Sequence, residues 1–190
     1  ADMEKRGIEW VFIGSVDNIL LKYVDSLLLG LTISQGNEIG TRTVLKRDPQ
    51  ERVGVLCKQN NKIKVIEYTE LPKEIACIKD DDGELVFGES HIMCNLFSLN
   101  AIKRASTKEL EYHIAFKKAD YLDEDGNFVK ATVPNAYKFE QFIFDSFKLF
   151  DNISILRGKR EEDFAPVKNM VGEDSPETAK KLYENYWKNA

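Results

Sequence analysis

Four large apolar residues in succession, Trp10-Val11-Phe12-Ile13, run into Gly14-Ser15-Val16 and stop at Asp17-Asn18, after which a second apolar run begins at Ile19. An unbroken apolar run bounded by small and polar residues predicts a strand covered on both faces, as in the centre of an α/β sheet. Residues 18–31 then predict a helix, and residues 2–7 the tail of an earlier one closed by Gly7. Alternation over 53–58 and 62–68, around Gln59-Asn60-Asn61, predicts a hairpin. Pro72 introduces a short helix over 71–77, Asp82-Gly83 a turn, and 91–97 a strand. Ser98 is placed to cap a helix over 99–113, and Asp125-Gly126 marks a hairpin turn. A helix over 140–150 carries the stripe Phe139, Phe142, Ile143, Phe147 and Phe150, with Phe144 off it. A strand at 153–156 and a helix opened by Ser175-Pro176 complete the chain, leaving Tyr186-Trp187 with nothing evident to bury against. The alternation of elements is α/β, without repeats or low-complexity linkers.

Composition narrows the classes without changing the architecture. The 190 residues suit one large domain or one and a half small ones, and 43% apolar residues with 11 Phe supply a core. A net charge of -5 argues against a nucleic-acid backbone as partner, though not against a nucleotide held locally. No apolar stretch is long enough to cross a membrane, and Ala1-Asp2-Met3-Glu4-Lys5-Arg6 is unlike a signal peptide. Cys57, Cys77 and Cys94 are odd in number and lack C-x-x-C spacing, which predicts reduced thiols in a cytoplasmic protein.

Several residues break the patterns around them. Asp17 stands where the first strand ends, the position from which an acid can hold a phosphate-bridging metal ion; Asp17 and Asn18 equally suit a helix cap. Period-two alternation puts Glu67 on one face with Ile63 and Val65, where a carboxylate needs a partner, a ligand hydroxyl or a strand-end exposure. Gly54 in the partner strand removes a side chain, for a bulge or for a close approach. His91 heads an apolar run, either as a satisfied half-buried histidine or as a site residue. Lys168 follows Phe164-Ala165-Pro166-Val167, as surface decoration or as a phosphate grip held by a rigid turn. Two calcium-like runs, Asp80-Asp81-Asp82-Gly83 and Asp123-Glu124-Asp125-Gly126, place Ile78 and Tyr121 at the first ligand position and are better read as turns. The glycine-bearing 36–42 segment follows a helix rather than a strand, so it predicts a connection, not a phosphate loop.

In this order the residues resemble the eukaryotic UDP-N-acetylglucosamine pyrophosphorylases of the UDP-sugar pyrophosphorylase family. The resemblance covers nearly the whole chain. It rests on Asp2-Met3-Glu4-Lys5-Arg6-Gly7-Ile8, Val16-Asp17-Asn18-Ile19-Leu20, Val53-Gly54-Val55 and Val65-Ile66-Glu67-Tyr68. It continues through Tyr112-His113-Ile114-Ala115 with Lys117-Lys118, Pro134-Asn135 and Phe142-Ile143-Phe144-Asp145, and closes on the ten residues from Arg160 to Asn169. It implies a uridylyltransferase that joins UTP and N-acetylglucosamine 1-phosphate into UDP-N-acetylglucosamine and pyrophosphate with Mg2+. It implies that Asp17 lies at the metal, that Lys168 binds phosphate, and that Gly54 and Glu67 contact the sugar. Phe142 and Phe144 would line the sugar and acetyl pocket. Ser90-His91 stands where the family has Gly-Asn touching the sugar, so imidazole would offer one hydrogen bond in place of an amide's two.

The family's uridine-nucleotide loop, Leu-x-Gly-Gly-x-Gly-Thr-Arg, and its C-terminal region are absent from these residues. The expected fold is therefore an incomplete Rossmann-like mixed α/β sheet of the glycosyltransferase-A-like nucleotidyltransferase type. Residues 1–190 would form a partial catalytic domain, monomeric and inactive alone. The alternatives are a pyrophosphorylase for UDP-glucose or another UDP-sugar, and a non-catalytic partner-binding module.

Overall fold

The computed structural model describes residues 2–189, which run α1 (Asp2–Lys5), β1 (Trp10–Gly14), α2 (Ser26–Ser34), β2 (Ile39–Leu45), β3 (Val55–Gln59) and β4 (Lys62–Ile66). There follow α3 (Lys73–Ala76), β5 (Glu89–Ser98), α4 (Leu99–Ser106), β6 (His113–Lys117), β7 (Tyr121–Leu122), β8 (Phe128–Val129) and β9 (Ala136–Glu140). A 3-10 helix (Ile143–Leu149), β10 (Ser154–Arg157), α5 (Arg160–Asp163) and α6 (Pro176–Asn189) end the series. The main sheet is mixed: β10-β2-β5-β3-β4 lie side by side, β10 parallel to β2 and the other pairs antiparallel, with β1 added to β5. The incomplete α/β mixed sheet is as expected. Among the described residues no helix is long and apolar enough to cross a membrane.

β5 is the axis of the sheet. It pairs with β2 along one side; on the other it meets β3 at Ser90 and β1 from Cys94 to Ser98. The β2 register jumps between Arg42, opposite Cys94, and Thr43, opposite His91, so Ile92 and Met93 form a bulge. Met93 takes a left-handed φ of 51° there, and its carbonyl accepts the Ser15 N–H at 3.0 Å. A bulge turns the strand locally and re-aims its side chains. Here it lies directly beside His91.

The two faces of the sheet bury different things. On one, Ile39, Leu56, Val65 and Phe97 pack with Ala101 of α4 and with Phe144, Phe147 and Phe150. On the other, Val44, Ile92 and Cys94 pack with Phe164, and α2 lies so close to β2 that a Cβ on Gly40 would meet Thr32 Oγ1 at 2.3 Å.

Several elements depart from the pattern-based expectation. β1 is no central strand: β5 is its one sheet partner and all five of its residues are half-buried. The helix expected over 18–31 begins at Ser26, because Val24 adopts a φ of 59° and Asp25 caps it, accepting the Leu27 and Leu28 N–H groups at 3.1 Å. Asp17 and Asn18 therefore cap no helix. The 36–42 segment, expected as a connection, contributes part of β2, whose buried Thr41, Arg42 and Thr43 hide a strand behind polar residues. α4 stops at Ser106, where the Ser106 and Thr107 hydroxyls donate back to the Lys103 and Arg104 carbonyls and compete with helix continuation. Beyond it, β6 and β9 form an unforeseen ribbon. Of the helix expected over 140–150, Ile143–Leu149 alone is helical and winds with three residues per turn, which aligns Phe144 with Phe147 and puts Phe144 on the buried stripe after all. Phe139, by contrast, belongs to β9 and is 58% exposed. Tyr186 does find partners, joining Leu20, Ala165 and Ala179. The β3–β4 hairpin, the Ser98 cap and the start of α6 at Pro176 fall where expected.

Candidate functional site

Where β3 begins and the antiparallel β4 ends, the chain builds a cleft of about 670 Å³, walled by the loop from Arg47 to Val53, by Gly54, Glu67 and His91, and by Lys168 with Glu173 and Asp174. Gly54 and Glu67 face each other. A Cβ on Gly54 would stand 2.9 Å from Glu67 Oε1 and 2.9 Å from Val65 Cγ1, so the missing side chain is the space the carboxylate occupies. Of the two readings of Gly54, close approach is the one realised: its carbonyl still accepts the His91 N–H at 2.9 Å, as an ordinary strand residue would. β4 ends at Ile66, and Glu67 continues its face just past the strand. Burial, with the charges of Glu70 and Asp145, raises the Glu67 pKa against the opposing pull of His113 and Lys168. Among the described residues its carboxylate has no ion-pair partner within bonding distance.

His91 closes the floor of the cleft and is buried. Its Nε2 lies 2.9 Å from Asn95 Oδ1, which also accepts the Thr41 hydroxyl at 2.8 Å. Burial, outweighing the Asn95 hydrogen bond, pushes its pKa down to about 4, so the ring is neutral near pH 7. With Nε2–H given to Asn95, Nδ1 is left as an acceptor. The one donor expected of this imidazole is thus committed inside the protein. Phe144 meets the His91 ring edge-on at 5.0 Å and stacks on Phe142 at 4.7 Å. Phe144 is a buried backing of His91, and neither phenylalanine borders the cleft as it stands.

Lys168 is held by its backbone. Its N–H donates to the Asp174 carbonyl at 2.7 Å and its Nζ to the Arg52 carbonyl at 3.3 Å. The segment before it is tied to the exit of β1 by Asn18, whose Nδ2 donates to Asp163 O at 2.8 Å and whose Oδ1 accepts the Ala165 N–H at 2.8 Å. Asp17 O accepts the Val167 N–H at 2.8 Å. Asp17 therefore neighbours the Lys168 segment through its backbone, while its carboxylate takes the Ser15 hydroxyl and lies outside the cleft wall. No group of three His, Cys, Asp or Glu able to hold a metal ion exists among the described residues. Asp17 alone could offer one oxygen, which fits an ion held chiefly by substrate phosphates.

The structure thus brings Gly54, Glu67, His91 and Lys168 together and sets Asp17, Phe142 and Phe144 around them. It adds what the sequence did not single out. Arg47 and Arg52 line the cleft beside Lys168. Their loop is fixed by buried Glu51, which binds Arg160 and accepts the Arg47 N–H at 2.7 Å. The dense charge of Lys46-Arg47-Asp48 and Glu51-Arg52 around Pro49 was the available signal. Beneath, Arg42 joins Asp25 at 2.5 Å and Asp163 at 3.1 Å, and Lys22 reaches Asp163 at 2.9 Å, a buried network that anchors the turn leading to Lys168. A Cβ on Gly158 would lie 1.9 Å from Asp163 Oδ2, so glycine makes that network possible.

A family model described as UTP--glucose-1-phosphate uridylyltransferase matches residues 1–173. The human UDP-N-acetylhexosamine pyrophosphorylase-like protein 1 is 40% identical over 185 residues, covering 94% of this chain and 36% of that relative. The Saccharomyces cerevisiae UDP-N-acetylglucosamine pyrophosphorylase is 38% identical over 190 residues, covering 96% of this chain and 40% of that protein. Among solved structures, the Trypanosoma brucei uridine diphosphate N-acetylglucosamine pyrophosphorylase in complex with inhibitor superimposes with a TM-score of 0.80 at 32% identity, over 95% of this chain and 36% of that one. The chain thus spans well under half the length of the relatives it matches.

Proposed function

The chain belongs to the UTP--glucose-1-phosphate uridylyltransferase family, and we propose that it carries the sugar side of a site that makes UDP-N-acetylglucosamine and pyrophosphate from UTP and N-acetylglucosamine 1-phosphate. The single observation behind this reading is the pairing of Glu67 with Gly54 in a cleft that also holds Lys168. A partly desolvated carboxylate without an ion pair is an acceptor for sugar hydroxyls, and a lysine in the same cleft is a cation for the phosphate those hydroxyls accompany. The names of the relatives support the same substrates. On this reading residues 1–190 are part of a catalytic domain whose uridine-binding loop is supplied from elsewhere in the polypeptide.

In the proposed reaction a sugar-phosphate oxygen attacks the α-phosphorus of UTP and pyrophosphate leaves, with no covalent enzyme intermediate. The attacking oxygen is already ionised near pH 7, so Glu67 has no proton to remove; its task is to accept hydrogen bonds and orient the sugar. His91, neutral and with Nε2–H turned to Asn95, offers Nδ1 as a second acceptor. Lys168 holds phosphate charge. Mg2+, for which Asp17 would supply a carboxylate oxygen, neutralises phosphate charge when bound. Three unpaired cysteines fit a reducing, cytoplasmic setting.

The test is pyrophosphate release by the full-length protein with UTP and, in turn, N-acetylglucosamine 1-phosphate, N-acetylgalactosamine 1-phosphate and glucose 1-phosphate. Preference for the first supports the reading. One observation favours a second reading, a different UDP-sugar: His91, whose free hydrogen-bonding atom is an acceptor where an amide would also donate. Preference for glucose 1-phosphate would establish that alternative, and no turnover with any sugar phosphate would retire both.

A further inference from the structure

A second cluster of titratable groups lies on the far side of Glu67 and takes no part in the scheme above. His113, the first residue of β6, holds Glu70 Oε1 through Nδ1 at 2.8 Å and Asp145 Oδ2 through Nε2 at 2.9 Å. Its ring meets Phe142 at 5.0 Å and Phe144 at 6.4 Å. Glu70 in turn accepts the Glu67 N–H at 3.2 Å, and its own N–H donates to the Glu67 carbonyl at 2.9 Å. Asp145 sits in the first turn of the 3-10 helix, one residue after Phe144. A single imidazole therefore spans the turn that carries Glu67 and the helix that carries the ring backing His91.

We propose that His113 is a positioning residue for the sugar side of the site: by holding Glu70 with one ring nitrogen and Asp145 with the other, it fixes the Glu67 turn relative to Phe142 and Phe144. This rests on the reading of Glu67 as a sugar ligand. It touches no substrate itself. Its geometry demands two donors, and an imidazole has two only as the imidazolium. A neutral ring keeps one of the two carboxylates and releases the other, so the clamp is complete or half-open according to protonation.

The surroundings favour the closed form. Burial works against the charged ring, but the hydrogen bonds and charges of Asp145 and Glu70 outweigh it and raise the His113 pKa above its ordinary value. Of the other charged groups nearby, Glu140, opposite on β9, is engaged by Lys138 at 2.8 Å, and Glu111 by Lys148 at 2.7 Å. Lys64 of β4 lies in the same groove, and Glu67 is within electrostatic reach. A raised histidine pKa means the clamp is fully present below the ordinary value of about 6.5 and is lost as pH rises through the higher value in the fold.

The deciding measurement is an NMR titration of the isotope-labelled 190-residue chain. The expected result is protonation of both His113 ring nitrogens at pH 6, a midpoint above that of a free histidine, and a Glu67 amide shift that follows the same midpoint. In His113→Gln that step in the Glu67 amide should vanish. In the full-length protein the same variant should raise KM for N-acetylglucosamine 1-phosphate by about tenfold, the loss expected of one well-placed hydrogen bond, while kcat and KM for UTP stay within about twofold. Wild-type KM for the sugar phosphate should climb with pH above the His113 midpoint and the variant's should not. Glu70→Gln, which leaves Asp145 in place, should reproduce the KM change if His113→Gln folds poorly. A Glu67 amide indifferent to the His113 titration overturns the proposal, as does an equal rise in both KM values with a lowered Tm. Should no sugar phosphate be turned over, the assigned activity fails separately, and the Glu67 amide still decides whether His113 positions that turn.

Discussion

The space that Gly54 leaves open and the carboxylate that enters it make Glu67 an expensive residue for the fold taken alone. Burial raises its pKa, so its charged form is less favourable here than in water. Glu67→Leu, which continues the face of Ile63 and Val65, should therefore keep or raise Tm in a thermal melt while raising KM for the sugar phosphate at least tenfold, since charge-assisted bonds contribute about 1.5–3 kcal/mol. The sign with pH follows. A carboxyl with a raised pKa takes up its proton earlier as pH falls, so wild-type sugar affinity should begin to weaken at a higher pH than an exposed glutamate would dictate. An unfolded Glu67→Leu without a selective kinetic defect would make Glu67 a structural residue instead. Lys168 differs in kind: its backbone is fixed while its side chain is exposed. Lys168→Ala should leave Tm within about 2 °C, because exposed side chains contribute within about 0.5 kcal/mol. It should lower kcat about a hundredfold, for roughly 3 kcal/mol of lost electrostatic stabilisation. Unchanged kcat in that variant would remove Lys168 from the reaction.

Between elements, the link that matters most to the site is the buried Arg42–Asp25–Asp163–Lys22 network, which joins β2, the cap of α2 and the end of α5. Asp163→Ala leaves buried Arg42 with Asp25 alone and Lys22 without its carboxylate, and should cost about 3–5 kcal/mol in urea unfolding, the usual penalty for removing one partner of a buried ion pair. A loss under 1 kcal/mol would mean that Asp25 alone satisfies the guanidinium. Nothing about Asp163 stands out in the run Glu161-Glu162-Asp163, because neighbours in sequence do not show that one of three acids points inward. The same reason separates the legible elements from the rest. The β3–β4 hairpin and the Ser98 and Ser175 caps are local matters, decided by a turn or a hydroxyl within a few residues, and were legible. β2 was half-hidden because Thr41, Arg42 and Thr43 are satisfied by Asn95, Asp25, Asp163 and Glu89 from distant segments. Glu67 and Gly54 betrayed themselves by breaking a pattern. Arg47 and Arg52 sit in a polar stretch where one more polar residue breaks nothing, and His113, between Tyr112 and Ile114, gives no local sign of the two carboxylates it holds from distant segments.

For the whole molecule, the β6–β9 ribbon turns Ile114, Phe116, Tyr137 and Phe139 to one face, each more than half exposed, while His113 on the other side holds it to the body. With the uridine-binding loop of the family missing from these 190 residues, the chain by itself should release no measurable pyrophosphate from UTP and N-acetylglucosamine 1-phosphate. Positioning supplies much of the rate in such transfers, and half a site forfeits it. Turnover near one per second in a coupled pyrophosphate assay would show that the missing side is dispensable. The two hydrogen bonds that tie the Asn18 side chain to Asp163 and Ala165 have a further consequence, one of timing. Its partner Ala165 lies 147 residues downstream. At roughly 5–20 residues per second on the ribosome, about 7–30 seconds of synthesis separate the two. Throughout that interval the Asn18 side chain lacks both Asp163 and Ala165, and the apolar side chains around Leu20 await Ala165 and Ala179. The half-made chain therefore keeps that apolar surface uncovered while the middle of the sheet is already emerging, and slow decoding before residue 165 lengthens the exposure.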